Sequence, residues 1–152
     1  TATALRAGEG RSVRWGPGGI VRVIAGADST DGAFSIVEST EPPGSAAPLH
    51  VHHGEAAGFY VVEGEIELTC GDDTLIAGVG DFVYTPRDVP HKYAVVGDRQ
   101  ARVLLFFSRP GFESFFLDAG SPIDEPAGPP DPERMTSVLA RYDLELLEAP
   151  SH

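Results

Sequence analysis

The segment Gly44-Ser-Ala-Ala-Pro-Leu-His50-Val51-His52 decides how this 152-residue chain is interpreted. A strand places alternate side chains on one face, so these two histidines share a face. A second block, Gly80-Asp-Phe-Val-Tyr-Thr-Pro-Arg-Asp-Val-Pro-His91, ends in a histidine at the start of an apolar run. Three neutral imidazoles that converge inside a barrel make a good site for zinc, nickel, copper or iron. We therefore expect His50, His52 and His91 to bind a divalent metal.

Short apolar runs extend over most of the chain on both sides of these blocks. The 18 glycines and 13 prolines are scattered between runs of strand length, a pattern typical of a turn-rich all-β protein. Regular short strands of this kind favour a sandwich or a barrel. We predict strands at residues 20–24, 34–37, 59–62, 66–68, 74–76, 82–85, 92–96 and 102–107.

The C-terminal part of the chain has a different pattern. Residues 111–120 look like a short helix with three phenylalanines on one side, and residues 121–132 are a Pro-rich loop. Residues 132–142 have helical periodicity, with a proline near the first position, and residues 144–147 are a candidate last strand. We expect this tail to cover one end of the barrel or to contact a second subunit.

Length and composition limit the classes of protein to consider. The length fits one domain over residues 1–152, which we divide into a barrel at 1–110 and a C-terminal extension at 111–152. A net charge of −12 argues against nucleic acid and against an anionic membrane surface as partners. The single cysteine, Cys70, excludes an intrachain disulfide, and residues 1–10 contain no apolar leader-like stretch. We therefore expect a cytoplasmic protein.

The two histidine blocks resemble the paired motifs of the cupin superfamily. The first motif reads G-x5-H-x-H-x(3,4)-E-x6-G and corresponds here to the segment from Gly44 to Gly64. The second reads G-x5-P-x-G-x2-H-x3-N and begins at Gly80. The tail is also similar to that of small bacterial cupins described as quercetinase-like. The resemblance implies a cupin β-barrel, or jelly-roll sandwich, with a short C-terminal helical extension.

The chain departs from these motifs at three positions. Ala57 stands in place of the glutamate, Asp88 in place of the second motif's glycine, and Val95 in place of its asparagine. The resemblance implies that Ala57 removes a carboxylate ligand, which in quercetinase-like dioxygenases is also considered a base. A site without it carries one more positive charge, which lowers the pKa of bound water and polarises a carbonyl more strongly.

Several groups are candidates for the missing fourth ligand. Glu55 is close in sequence and has the same strand parity as Ala57. It can, however, lie in the segment before the chain turns into the next strand, where that parity does not apply. Strict alternation points His53 away from His52, whereas a bend at Gly54 would bring it back, and we include His53 among the predicted metal ligands. Waters are the remaining alternative. Zn²⁺ is the expected ion, with Ni²⁺, Fe²⁺ and Mn²⁺ as alternatives.

Strand parity also predicts which side chains lie beside the metal. Tyr93 shares a face with His91 and is a candidate to relay or donate a proton. Side chains that share a face with position 57 or with His91 should line a mostly apolar cavity: Phe59, Val61 and Val95. Such a cavity suits a flat, oxygenated aromatic or pre-aromatic ligand.

Three functions are consistent with the resemblance. Loss of the carboxylate favours a metal-dependent cyclase for aldol-type cyclisation and aromatisation of a polyketide, free or bound to a carrier protein, in antibiotic biosynthesis. Similarity along the whole chain favours a quercetinase-like dioxygenase with iron, nickel or manganese. A cupin that binds a small ligand without catalysis is the third. We also expect a homodimer, in which an edge segment such as residues 13–24 adds to a neighbour's sheet.

Overall fold

Two antiparallel β-sheets form the body of the protein in a computed structural model, which describes residues 2–109, 111–125 and 131–148. The predicted all-β class with a short helical C-terminal extension is confirmed. The helices are α1 (Glu113–Ala119) and α2 (Pro132–Arg141). The strands are β1 (Ser12–Trp15), β2 (Gly19–Ala25), β3 (Ser35–Glu41), β4 (Ala46–His52), β5 (Ala57–Glu63), β6 (Ile66–Cys70), β7 (Asp73–Ala77), β8 (Phe82–Thr85), β9 (His91–Val95), β10 (Ala101–Phe107), β11 (Ser121–Pro122) and β12 (Leu144–Leu146).

The strand order places the N-terminal and C-terminal parts of the chain side by side. The first sheet has the order β11-β1-β2-β3-β10-β5-β8, and the second has the order β12-β4-β9-β6-β7. In the first sheet Val13 of β1 lies opposite Pro122 of β11. The segment expected to pair with a second subunit is therefore covered along that edge by the chain itself, and the homodimer stays a prediction.

The core lies between the inner faces of the two sheets. Alternate residues of β3 and β10 are buried, as the two-residue period of a strand requires. The C-terminal extension adds the phenylalanines of α1 and the preceding turn to this core, and Trp15 packs edge-on against two of them at ring-centroid distances of 5.6 and 4.9 Å. These buried phenylalanines are Phe112, Phe115 and Phe116. The extension therefore closes one end of the barrel.

The last helix and strand lead the chain back to the histidine strand. Asp131 caps α2 by accepting a hydrogen bond from the backbone N–H of Glu133, and a proline occupies the first helical position. After α2, the short strand β12 pairs with β4, which places Leu144 opposite His52 and Leu146 opposite His50. The Pro-rich loop predicted at 121–132 lies partly outside the described residues. Within the described ranges, the two helices are too short or too polar to cross a membrane.

Candidate metal centre

Strands β4 and β9 bring three histidines together on the inner face of the smaller sheet. His50 lies directly opposite His91, and His52 follows two residues further along β4. One ring nitrogen from each histidine lies within 4.8 Å of the other two. The ring centroids are separated by 4.3 to 5.2 Å. Three of the four residues that the sequence predicted as metal ligands thus share one site.

Hydrogen bonds fix which nitrogen of each ring is free. The Nδ1 atom of His50 donates to the Pro48 carbonyl at 2.6 Å, and that of His91 lies 3.3 Å from the Val89 carbonyl. The Nδ1 atom of His52 bonds to Glu55 Oε2 at 2.6 Å. The Nε2 atoms therefore carry the free lone pairs, because a neutral imidazole that donates through one nitrogen accepts through the other.

The buried Nε2 atom of His91 provides the test of whether a metal fits. It has no hydrogen-bond partner among the described residues. Leaving such a group unsatisfied costs about 1–3 kcal/mol, so native proteins seldom bury one without a ligand or water. Three imidazole nitrogens around one point are a donor set that suits Zn²⁺, Ni²⁺, Fe²⁺ or Cu²⁺. The residues present therefore fit a divalent metal.

The protonation state of the histidines also suits a metal. Burial lowers the pKa of His50 and of His52 to about 4. Burial, reinforced by the two neighbouring imidazoles, lowers the pKa of His91 to about 3. All three rings are then neutral at physiological pH. Metal ligation requires neutral imidazole, so no proton has to be displaced on binding near pH 7.

Apolar groups surround the side of the cluster where a carboxylate ligand would be expected. Ala57 is 3% exposed and lies opposite Phe107 on β10 and Thr85 on β8. The Phe107 and Phe112 rings lie 5.9 and 5.2 Å from the His52 ring. A methyl group and two phenyl rings offer no ligand here, so the site has three nitrogens and no carboxylate at position 57.

The structure does not bring His53 into this cluster. Its Nδ1 atom lies 2.8 Å from Asp88 Oδ1, and its Nε2 atom lies 3.0 Å from Glu145 Oε1. The strand alternation carries it to the outer side, where 37% of its side chain is exposed. Asp88 has a φ of +68°, a conformation that aspartate tolerates better than most residues, which explains how it replaces the motif glycine.

Glu55 lies behind His52 and not beside the free nitrogens. It is 1% exposed, and burial raises the pKa of its carboxyl to about 7, although Arg109 opposes this shift. The sequence placed it among the candidates for a fourth ligand, whereas the structure places it as the hydrogen-bond partner of His52 Nδ1. The spacing of three residues from the last histidine of the strand is the signal that could have indicated this contact.

Comparison with known proteins identifies the family. The cupin domain model matches residues 37–107, which include all three histidines. These residues of the chain form a cupin domain. Over 150 residues, or 95% of its length, it is 29% identical to quercetin 2,3-dioxygenase of Bacillus subtilis (strain 168). The chain spans 44% of the length of that relative. The resemblance to small cupins of the quercetinase-like kind is thereby confirmed.

Solved structures support the same fold. An RmlC-like cupin from Shewanella frigidimarina has a TM-score of 0.63 at 18% identity, over 76% of this chain and 96% of that one. A protein described as a predicted oxalate decarboxylase from Thermotoga maritima has a TM-score of 0.62 at 19% identity, over 70% of this chain and 99% of that one. At these identities the likeness shows the fold alone.

Tyr93 of this cupin points inward but is bound elsewhere. Its hydroxyl donates to Glu41 Oε2 at 2.6 Å, and burial together with that carboxylate raises the pKa of the phenol well above its usual value. Its partner is thus a carboxylate of β3 and not one of the three histidines. A role for Tyr93 in proton transfer stays a prediction.

The side chains expected to line a substrate cavity belong to the hydrophobic core. Phe59, Val61 and Val95 are 3%, 0% and 6% exposed and pack with the other buried apolar residues. Their inward direction is the one that strand parity predicted. Phe82 and Tyr84, by contrast, line an apolar hollow of about 230 Å³ on the outer face of the larger sheet.

Proposed function

We propose that this cupin is a metal-dependent enzyme, and that its reaction is a quercetinase-like dioxygenation of a flat, oxygenated aromatic compound such as a flavonol. The observation that carries the proposal is the convergence of three neutral histidines around one point, with a buried, unpartnered nitrogen among them. The 29% identity to quercetin 2,3-dioxygenase over 95% of the chain supports the choice of reaction.

The described residues have clear roles in this proposal. His50, His52 and His91 hold the ion, which when bound supplies Lewis acidity toward a substrate oxygen. Phe107 and Phe112 keep water away from the inner side of the cluster, since both are buried. His50 is the more exposed of the three histidines, so the substrate approaches from its side.

The proposal is tested with metal-loaded protein and a flavonol. We expect oxygen uptake with quercetin after loading with Fe²⁺, Ni²⁺ or Mn²⁺, and its loss in His50→Ala and His91→Ala, which also lose the metal in elemental analysis. His53→Ala is the matched control, because His53 lies outside the cluster, and it should keep metal and activity. No oxygen uptake by fully loaded protein with a panel of flavonols would rule out this reaction.

A metal-dependent cyclase is the second candidate, and Ala57 is the observation that favours it. Without a carboxylate at position 57, the three ligands that touch the ion are neutral imidazoles, which suits polarisation of a ketone in an aldol-type cyclisation of a polyketide, with Zn²⁺ as the preferred ion. Adding zinc-loaded protein to a reconstituted polyketide synthase should then change the ring pattern of the products. An unchanged product profile, together with flavonol-dependent oxygen uptake, would exclude the cyclase.

A further inference from the structure

One histidine of the cluster differs from the other two in the group that holds it. His50 and His91 direct Nδ1 toward neutral backbone carbonyls, whereas His52 directs it at the carboxylate of Glu55 at 2.6 Å. The side chain of Glu55 is fully buried. The chain leaves β4 at His52 and reverses at Gly54, so that Glu55 returns to the back of the imidazole three residues later.

The second oxygen of Glu55 faces the guanidinium of Arg109. Glu55 Oε1 is buried without a hydrogen-bond partner in the described structure, and Arg109 Nη1 lies 3.7 Å from it. Gly54 leaves room for this guanidinium, since a Cβ atom there would lie 2.9 Å from Nη1. The same Nη1 donates to the Tyr142 carbonyl at 3.3 Å, which ties the guanidinium to the C-terminal extension.

We propose that Glu55 positions His52 for the metal and places behind that imidazole the carboxyl group that position 57 does not offer to the ion directly. Arg109 holds the carboxylate in place. A carboxylate on the far nitrogen of a ligating histidine fixes its tautomer and ring orientation and makes it a stronger ligand. Glu55 is a positioning residue, because it reaches the ion only through His52. This inference rests on the proposed function in requiring that the three histidines bind a metal.

The test compares two buried glutamates that differ only in what they contact. Glu113 is 3% exposed, and its carboxylate accepts hydrogen bonds from Ser35 Oγ at 2.8 Å and from the Ala27 backbone N–H at 3.0 Å. Affinity for Zn²⁺ is measured by competition with a chelator, and the d–d spectrum of the Co²⁺-loaded protein reports the ligand field. We expect Glu55→Gln to weaken Zn²⁺ binding by about 10–100-fold and to shift the Co²⁺ bands.

Glu113→Gln should lower the stability of the fold but leave the Zn²⁺ affinity and the Co²⁺ spectrum unchanged. Arg109→Gln, at a partly exposed position, provides a variant that folds even if Glu55→Gln does not. It should weaken Zn²⁺ binding measurably, by a smaller factor than the roughly 10–100-fold expected for Glu55→Gln. Wild-type affinity in a folded Glu55→Gln, or in Arg109→Gln if the former does not fold, would overturn the inference. An equal loss in Glu113→Gln would overturn it too. Wild-type affinity in His91→Ala would instead reject the metal site, so the two failures are distinguishable.

Discussion

Replacing Ala57 with glutamate tests whether position 57 still faces the metal. The new carboxyl would lie in a site that is 3% exposed, opposite Phe107 and next to Thr85, whose hydroxyl already donates to the Ala57 carbonyl. Without metal, we expect a loss of about 1–3 kcal/mol for the unsatisfied carboxyl and a similar loss for overpacking. With metal, the carboxylate becomes a fourth ligand. A tenfold gain in affinity adds about 1.4 kcal/mol to the stabilisation by saturating metal.

Urea unfolding measures both effects, once with a chelator and once at a fixed free Zn²⁺ concentration. Ala57→Gln is the matched control, because it has the same size but is a poorer ligand. It should share the loss in chelator and lack the extra gain in Zn²⁺. If metal stabilises Ala57→Glu no more than it stabilises the wild type, position 57 does not face the ion. If the glutamine variant gains as much, ligation is not the cause.

Three further predictions concern the fold around the site. Phe112 is fully buried, so Phe112→Ala should lower the free energy of unfolding in urea by about 3–5 kcal/mol. Phe34→Ala, at a side chain that is 44% exposed, should lower it by under about 1 kcal/mol. Equal losses in the two variants would contradict the packing described for Phe112. Gly64 has a φ of +76°, and a Cβ atom there would lie 2.4 Å from a backbone oxygen. Gly80 has a φ of +89° but open space around it, so Gly80→Ala should lower the free energy of unfolding by about 1–2 kcal/mol. Gly64→Ala should lower it by more. Hydrogen bonds to the carboxylates of β12 and of the β8–β9 loop raise the pKa of His53. The difference in free energy of unfolding between wild type and His53→Gln should therefore be largest between about pH 5 and 6.5. It should shrink as the pH rises through the raised pKa. A difference that grows with pH would show that the pair does not form.

The sequence predicted those parts of the site that depend only on the local periodicity of one strand. Two-residue alternation is enough to place His50 and His52 on one face and to direct Phe59 inward, because each depends only on the strand in which it lies. Strand alternation did not assign Glu55, because its contact with His52 depends on how the chain reverses after β4, and only the three-residue spacing from His52 indicates that contact. For the same reason the sequence left two orientations open for the His53 side chain. In the structure this side chain has the orientation that strand alternation predicts.

The sequence pattern also could not predict the pairing of strands that lie far apart in the chain. The edge at β1 looked free, because the two-residue strand that covers it, β11, lies more than 100 positions away and has no strand-like run of its own. The packing of the three phenylalanines of the extension was predicted as one of two alternatives, a lid or a subunit contact. Only the tertiary structure shows them buried within their own chain.

The position of β4 between β9 and β12 has a consequence for how the protein is made. The strand that carries His50 and His52 is hydrogen-bonded on one side to a strand that begins at His91 and on the other to a strand that ends at Leu146. During translation the ribosome must therefore pass residue 146 before the histidine strand has both neighbours. The proposed metal site is therefore complete only after nearly the whole described chain has been synthesised. A nascent chain arrested before β12 should bind Zn²⁺ more weakly than the released protein.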